Sequence, residues 1–170
     1  IPPTNNTTVN LSSDSGNMKN LNLNQILFGP PGTGKTYSTI NKALSILEPG
    51  TEEKISYEDR TVLRDRFDDY VKKGQIVFTT FHQSYGYEEF IEGIMLSADG
   101  GFRQKDGIFK EFCNRAIRNP NKKYFFIIDE INRGNISKIF GELMVLIEND
   151  KRGQEMVLTY SNKYFKVPEN

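Results

Sequence analysis

The segment from Gly29 to Thr36 restricts this chain most, because it reads Gly-Pro-Pro-Gly-Thr-Gly-Lys-Thr between a short apolar run and a helical pattern. It matches the phosphate-loop pattern of Gly, four residues, Gly, Lys, and then Ser or Thr. Glycines let the backbone curl so that successive N–H groups point at an anion held at a helix N-terminus. The lysine, Lys35, reaches the β- and γ-phosphates in this pattern, and the Thr36 hydroxyl binds Mg²⁺. The predicted nucleotide-binding residues are consecutive: Gly29, Pro30, Pro31, Gly32, Thr33, Gly34, Lys35, Thr36 and Tyr37.

Short apolar runs alternate with helical spacing along the rest of the chain. The predicted strands cover residues 25–28, 75–81 and 124–128. The predicted helices cover residues 37–47, 53–73, 108–117 and 136–147. The pairs Gly100-Gly101 and Asp106-Gly107 predict one hairpin, and the runs 156–160 and 164–167 predict a second. This alternation favours an α/β fold with a mainly parallel sheet flanked by helices.

A second motif places two carboxylates, Asp129 and Glu130, directly after the buried strand, about 90 residues beyond the phosphate loop. Asp129 is positioned to hold Mg²⁺ through its water shell, as in other phosphate-loop enzymes. Glu130 can polarise a water molecule as a general base. An acidic turn exposed to solvent is the simpler interpretation of such a pair, but the phosphate loop favours a catalytic role. A phosphate-loop kinase is disfavoured, because its second substrate needs no activated water.

Composition sets limits on the class of protein. The chain has 22 basic and 22 acidic side chains, so it gives no support to a globally basic nucleic-acid binder. Its single cysteine excludes an internal disulfide framework. Without an apolar run of about 20 residues, a cytoplasmic location is expected. Residues 1–20, rich in Asn, Ser and Thr, are predicted to be a disordered linker or tail. Residues 21–170 form the predicted domain. The pair Lys151-Arg152 is interpreted as solvated surface charge.

Three stretches together carry a resemblance to a known family. They are Gly-Pro-Pro-Gly-Thr-Gly-Lys-Thr, then Thr-Phe-His-Gln-Ser-Tyr-Gly-Tyr-Glu-Glu-Phe-Ile-Glu-Gly, then Phe-Ile-Ile-Asp-Glu-Ile-Asn-Arg-Gly-Asn-Ile-Ser-Lys-Ile-Phe-Gly-Glu. From about residue 24 to residue 170 the chain resembles the AAA+ domain of the McrB family, the nucleotide-hydrolysing subunits of modification-dependent restriction systems. The Asp-Glu-Ile-Asn-Arg block is the most specific part.

The resemblance implies a Mg²⁺-dependent AAA+ NTPase that prefers GTP, although the residues alone leave GTP and ATP both open. It implies a homo-oligomeric, hexameric ring, a nuclease-bearing McrC-like partner subunit, and contact with DNA through domains outside this chain, without a membrane. It also implies that Asn132 helps to orient the attacking water. The expected catalytic residues are Glu130, Asn132 and Lys35, and the expected metal-binding residues are Thr36 and Asp129.

The chain departs from the family pattern in two places. The fold is expected to be incomplete at its C-terminus, because the family's next strand, with its sensor Asn, does not occur before residue 170. These 170 residues alone are therefore expected to hydrolyse little nucleotide. Residues 52–74 are longer than a minimal AAA+ core needs. Two alternatives stay open: an AAA+ ATPase that remodels a partner other than DNA, and a nucleotide-dependent assembly module with little turnover of its own.

Overall fold

The computed structural model describes residues 23–30 and 32–170 and contains one parallel strand pair within them. Strand β1 (Ile76–Thr80) pairs with β4 (Phe125–Asp129), with Ile76 opposite Phe125 and Thr80 opposite Asp129. Parallel strands need a crossover connection, which the intervening helices supply. The predicted linker over residues 1–20 lies outside the described residues, as does Pro31 of the predicted phosphate loop.

Helices account for most of the remaining regular structure. They are α1 (Lys35–Leu47), α2 (Glu52–Tyr57), α3 (Arg60–Lys72), α4 (Tyr87–Phe90), α5 (Ile108–Ile117), α6 (Ile136–Phe140) and α7 (Leu143–Leu146). The α/β class predicted from the sequence is confirmed. Of the helices in the described residues, none is long and apolar enough to cross a membrane.

Two antiparallel hairpins complete the architecture. Strand β2 (Glu92–Leu96) pairs with β3 (Phe102–Asp106), between α4 and α5. Strand β5 (Glu155–Val157) pairs with β6 (Tyr164–Lys166) near the end of the chain. The hairpin β5–β6 falls where it was predicted, whereas β2 lies before the predicted range of 100–107 and only β3 lies within it.

An aromatic cluster forms the largest part of the core. Phe90 is fully buried, stacks on Phe109 with ring centroids 4.9 Å apart, and meets Phe81 edge-on at 5.6 Å. Phe140 and Leu143 pack into the same cluster from α6 and α7. Offset and edge-on aromatic pairs stabilise beyond the area they bury. The cluster therefore packs α5, α6 and α7, which lie on either side of β4 in the sequence, against α4.

The predicted strand over residues 25–28 is wrong. These residues adopt no strand, and Ile26 and Phe28 are 70% and 84% exposed. An apolar run forms a strand only when a neighbour accepts its backbone hydrogen bonds. Among the described residues, no strand pairs with this run or with the edge of β4 that faces away from β1.

Two predicted helices are each divided in two. The pattern over 53–73 breaks after Tyr57, where the Asp59 side chain accepts a hydrogen bond from the Thr61 N–H at 2.8 Å and caps α3. The pattern over 136–147 breaks at Gly141, whose φ of +52° lies in the left-handed region. That conformation costs a glycine little, and the hydrophobic spacing continues across the break, so spacing alone did not reveal it.

A fully buried carboxylate joins the two hairpins. Glu92 accepts hydrogen bonds from Lys110 at 2.6 Å and from the N–H groups of Tyr160 and Ser161 at 3.1 and 2.8 Å. Burial by itself would raise the pKa of Glu92, but the bonds from Lys110 and Ser161 outweigh it and lower the pKa. A buried charge needs such partners. Hairpin β2–β3 and the turn before β6 are therefore held together.

Candidate functional site

The predicted phosphate loop runs directly into α1. Gly32 and Gly34 have φ values of +79° and +78°, and Gly34 occupies the cap position of α1. Residues other than glycine rarely adopt backbone angles with positive φ, so the two glycines allow the sharp turn. Lys35 and Thr36 are the first two residues of the helix. Their backbone N–H groups lack helical partners and point beyond the helix end, as anion binding requires.

The Lys35 side chain folds back over its own loop. Its ammonium donates to the backbone oxygens of Gly29 and Pro30 at 2.8 and 2.9 Å, and the Thr33 hydroxyl donates to the same Pro30 oxygen at 2.8 Å. These contacts hold one positive charge at the mouth of the loop. An ammonium on a long, flexible side chain can exchange such carbonyl contacts for phosphate oxygens.

The segment that leads into the phosphate loop is held by side-chain hydrogen bonds rather than by pairing with a strand. Asn24 donates to the Ile147 oxygen at 2.6 Å and accepts a hydrogen bond from Arg152 at 3.1 Å. Arg152 also donates to the backbone oxygens of Ile147 and Pro168. Its interpretation as solvated surface charge is wrong, since its guanidinium is partly buried and bonded on several sides. Arg152 thereby connects residues just before the phosphate loop to the segment after α7.

The acidic pair lies in a constrained turn at the carboxyl end of β4. The Asp129 backbone oxygen accepts from the Phe81 N–H at 3.0 Å, and its side chain accepts from the Glu130 N–H at 3.0 Å. Glu130 has φ +50° and ψ +39°. A non-glycine residue in this region is uncommon and often marks a functional turn. A 3₁₀ turn over Ile131–Arg133 follows.

Arg133 is a member of this turn to which the sequence assigned no role. Its Nε donates to the Glu130 carboxylate at 2.9 Å, and both side chains are about half exposed. An exposed pair of this kind adds roughly 0–1 kcal/mol of stability, so it orients the carboxylate more than it stabilises the fold. Asn132 lies in the same turn with its side chain exposed, and among the described residues it has no hydrogen-bond partner.

The turn is packed closely on the core through Gly134. A Cβ added there would lie 2.6 Å from Ile139 Cδ1 and 3.0 Å from Phe81 Cδ2, and both of those side chains are fully buried. Replacing Gly134 by Ala is expected to lower the free energy of unfolding by about 1–3 kcal/mol through overpacking. Urea denaturation measures the difference.

The matched control for that measurement is Gly101→Ala in hairpin β2–β3. A Cβ at Gly101 would find its nearest atom, Asp99 Oδ1, at an ordinary 3.6 Å. The urea concentration at the unfolding midpoint of Gly101→Ala should stay close to that of the parent chain. A Gly134→Ala variant as stable as the Gly101→Ala variant would contradict the close packing of the turn.

Helix α1 and the acidic turn belong to one packed unit. Ala43 of α1 shares a buried cluster with Ile76 of β1 and Ile127 of β4, and Leu47 and Phe125 pack against it. The second half of the helix that begins at the phosphate loop thus lies on the strand that ends at the acidic pair. The two sequence motifs therefore lie at the ends of a helix and a strand that pack on each other.

The oxygen atoms at the two motifs suit a hard divalent cation. The Thr36 hydroxyl has no hydrogen-bond partner within the described part of the chain, and Asp129 is exposed with one carboxylate oxygen unengaged. In residues 23–30 and 32–170, no cluster of three or more His, Cys, Asp or Glu side chains could hold a metal by itself. Mg²⁺ commonly uses one or two protein ligands together with substrate phosphates and water. The residues present fit that pattern.

Comparison with known proteins identifies the family. Residues 60–167 match the model of the AAA domain, dynein-related subfamily. The chain belongs to the AAA domain family. AAA domains are phosphate-loop NTPase folds, so the predicted fold class is confirmed.

Two curated proteins of restriction systems are similar to this AAA domain. It is 46% identical over 152 residues to the Type IV methyl-directed restriction enzyme EcoKMcrB subunit of Escherichia coli strain K12. It is 26% identical over 164 residues to the Type II restriction enzyme BsuMI component YdiS of Bacillus subtilis strain 168. These matches cover 86% and 81% of the chain but only 28% and 41% of the relatives. The predicted resemblance to McrB is confirmed.

Proposed function

We propose that this AAA domain binds a nucleoside triphosphate with Mg²⁺ and hydrolyses its terminal anhydride bond. The observation that carries the proposal is that the phosphate loop opens a helix packed on the strand that ends at Asp129 and Glu130. Phosphoryl transfer of this kind depends mainly on positioning and charge neutralisation. The loop amides and Lys35 would hold the phosphates, and Glu130 with Asn132 would hold and activate the attacking water.

The proposed metal site consists of Thr36 and Asp129. A Mg²⁺ ion held there would neutralise negative charge that develops on the phosphates during hydrolysis. Asp129 would act through the water shell of the ion, and its bond from the Glu130 N–H fixes the direction of its carboxylate. The Thr36 hydroxyl, at the start of α1, would face the same ion from the phosphate loop.

We further propose that the domain works in a ring-forming, McrBC-like restriction system and that GTP is its preferred nucleotide. The 46% identity to a methyl-directed restriction subunit supports this setting. A nuclease-bearing McrC-like partner, a hexameric ring and contact with DNA through domains outside this chain belong to the same proposal.

Titration with fluorescent GTP and ATP analogues, with and without Mg²⁺, tests the site. Replacing Asp129 by Asn should lower Mg²⁺ affinity in the nucleotide complex by about 10- to 100-fold, as for other residues that act on a metal through an intervening shell. Asp150→Asn is the matched control, because Asp150 is an exposed carboxylate after α7. If nucleotide affinity shows no Mg²⁺ dependence, or if both variants change it equally, the assignment of Asp129 fails.

A further inference from the structure

The segment over residues 52–74 folds onto the helix that begins at the phosphate loop. Ile55 of α2 and Leu63 of α3 form a buried cluster with Ile40 and Leu44 of α1. Arg66 closes the segment by pairing with both Glu48 and Glu58. These contacts hold α2 and α3 against α1 without help from the nucleotide-binding residues.

Arg60, the first residue of α3, extends from this segment over Tyr37. Its guanidinium carbon lies 3.9 Å from the centroid of the Tyr37 ring, and its Nη1 donates to Asn41 Oδ1 at 3.1 Å. The cap formed by Asp59 fixes where α3 begins, and therefore where Arg60 projects. Tyr37 stands two residues after Lys35 and is still 50% exposed. An arginine and an aromatic ring thus lie stacked beside the phosphate loop.

The guanidinium keeps part of its hydrogen-bonding capacity. Within the described residues, its Nε and Nη2 atoms have no hydrogen-bond or ion-pair partner. A contact needed only to anchor α3 would add little, because the buried cluster and Arg66 already do so. Nε and Nη2 form the planar edge that arginine uses for two parallel hydrogen bonds.

We propose that Tyr37 and Arg60 form the base-binding part of the nucleotide site and select guanine over adenine. This inference rests on the proposed nucleotide function. With the phosphates on the loop amides and Lys35, Tyr37 is the first side chain beyond Thr36 available to a purine. Guanine presents O6 and N7 as neighbouring acceptors that match the arginine fork, whereas adenine presents a donor, N6, beside N7.

The experiment compares affinities for GTP, inosine triphosphate and ATP, measured by competition with a fluorescent nucleotide. Inosine triphosphate keeps O6 and N7 but lacks the 2-amino group, so it should bind like GTP. The parent chain is expected to prefer both over ATP by about 10- to 100-fold, the usual effect of one bidentate arginine–guanine pair. Arg60→Ala should remove that preference while changing ATP affinity little.

Two further variants make the result specific. Arg60→Lys keeps the positive charge and the long side chain but lacks the fork, so it should also lose most of the preference. If Arg60→Ala does not fold, the nucleotide preference of Arg60→Lys decides whether Arg60 selects guanine. Arg64→Ala, an exposed arginine on the same helix, is the matched control and should behave like the parent.

The possible outcomes separate the two proposals. The Arg60 variants could lose affinity for all three nucleotides equally, or keep the parental preference for GTP over ATP. Either result would show that Arg60 only anchors α3 and would overturn the inference. A parent chain that binds GTP and ATP equally would overturn guanine selection while leaving the nucleotide site intact. A parent chain that binds no triphosphate would overturn the proposed function and the inference with it.

Discussion

Replacing Lys35 by Ala is expected to remove measurable affinity for nucleoside triphosphates. Lys35 supplies the one cation of the phosphate-loop motif, and a hydrogen bond to a charged group is worth about 1.5–3 kcal/mol. Without two such bonds to phosphate oxygens, the complex should be roughly 10²–10⁴-fold weaker. Titration with a fluorescent GTP or ATP analogue measures the decrease.

Two variants control for effects on folding. Lys35→Met keeps most of the side-chain length and should lose affinity as Lys35→Ala does. Lys42→Ala removes an exposed lysine from the same helix and should bind nucleotide normally. Unchanged affinity in both Lys35 variants would refute the assignment of the phosphate loop.

Replacing Glu130 by Gln is expected to leave nucleotide binding intact while hydrolysis falls by roughly 10²–10⁴-fold, the usual contribution of a general base. Glutamine preserves the shape of the side chain but cannot accept a proton from water. Because the pair with Arg133 is exposed, its loss should change stability by at most about 1 kcal/mol. Phosphate release from the complete gene product measures turnover, and titration with a fluorescent nucleotide measures binding.

Glu148→Gln, which changes an exposed carboxylate after α7, is the matched control and should hydrolyse at the parental rate. If Glu130→Gln also turns over at that rate, Glu130 is not the base. Asn132 or a group from a neighbouring subunit would then have to activate the water.

The features predictable from the sequence were those set by neighbouring residues. The Gly-rich segment required a turn before a helix, and α1 follows that turn, beginning at Lys35, two residues before the predicted start. The strand that ends at Asp129 followed from an uninterrupted apolar run, and it pairs with β1 as a parallel strand. Its predicted full burial was wrong, because only Ile127 of its five residues is buried. The roles assigned to Glu130 and Asn132 remain predictions, although both residues lie in the constrained turn after β4.

The features that escaped prediction depend on residues distant in sequence. The run over 25–28 had the composition of a strand, but pairing decides whether a strand forms, and the run alone does not contain its partner. Arg152 resembled surface charge until the fold brought Asn24 and Pro168 to it. Likewise, no local pattern reveals that Arg60 would stack on a ring 23 positions earlier.

The burial of Glu92 has a consequence for synthesis on the ribosome. Two of its hydrogen-bond donors, the amides of Tyr160 and Ser161, lie 68 and 69 positions further along the chain. At about 5–20 residues per second, translation reaches them roughly 3–14 seconds after Glu92 itself. During that interval Lys110 can emerge and pair with the carboxylate, but its other oxygen has only water. The Glu92 carboxylate is therefore expected to stay in contact with water until Tyr160 and Ser161 have been made.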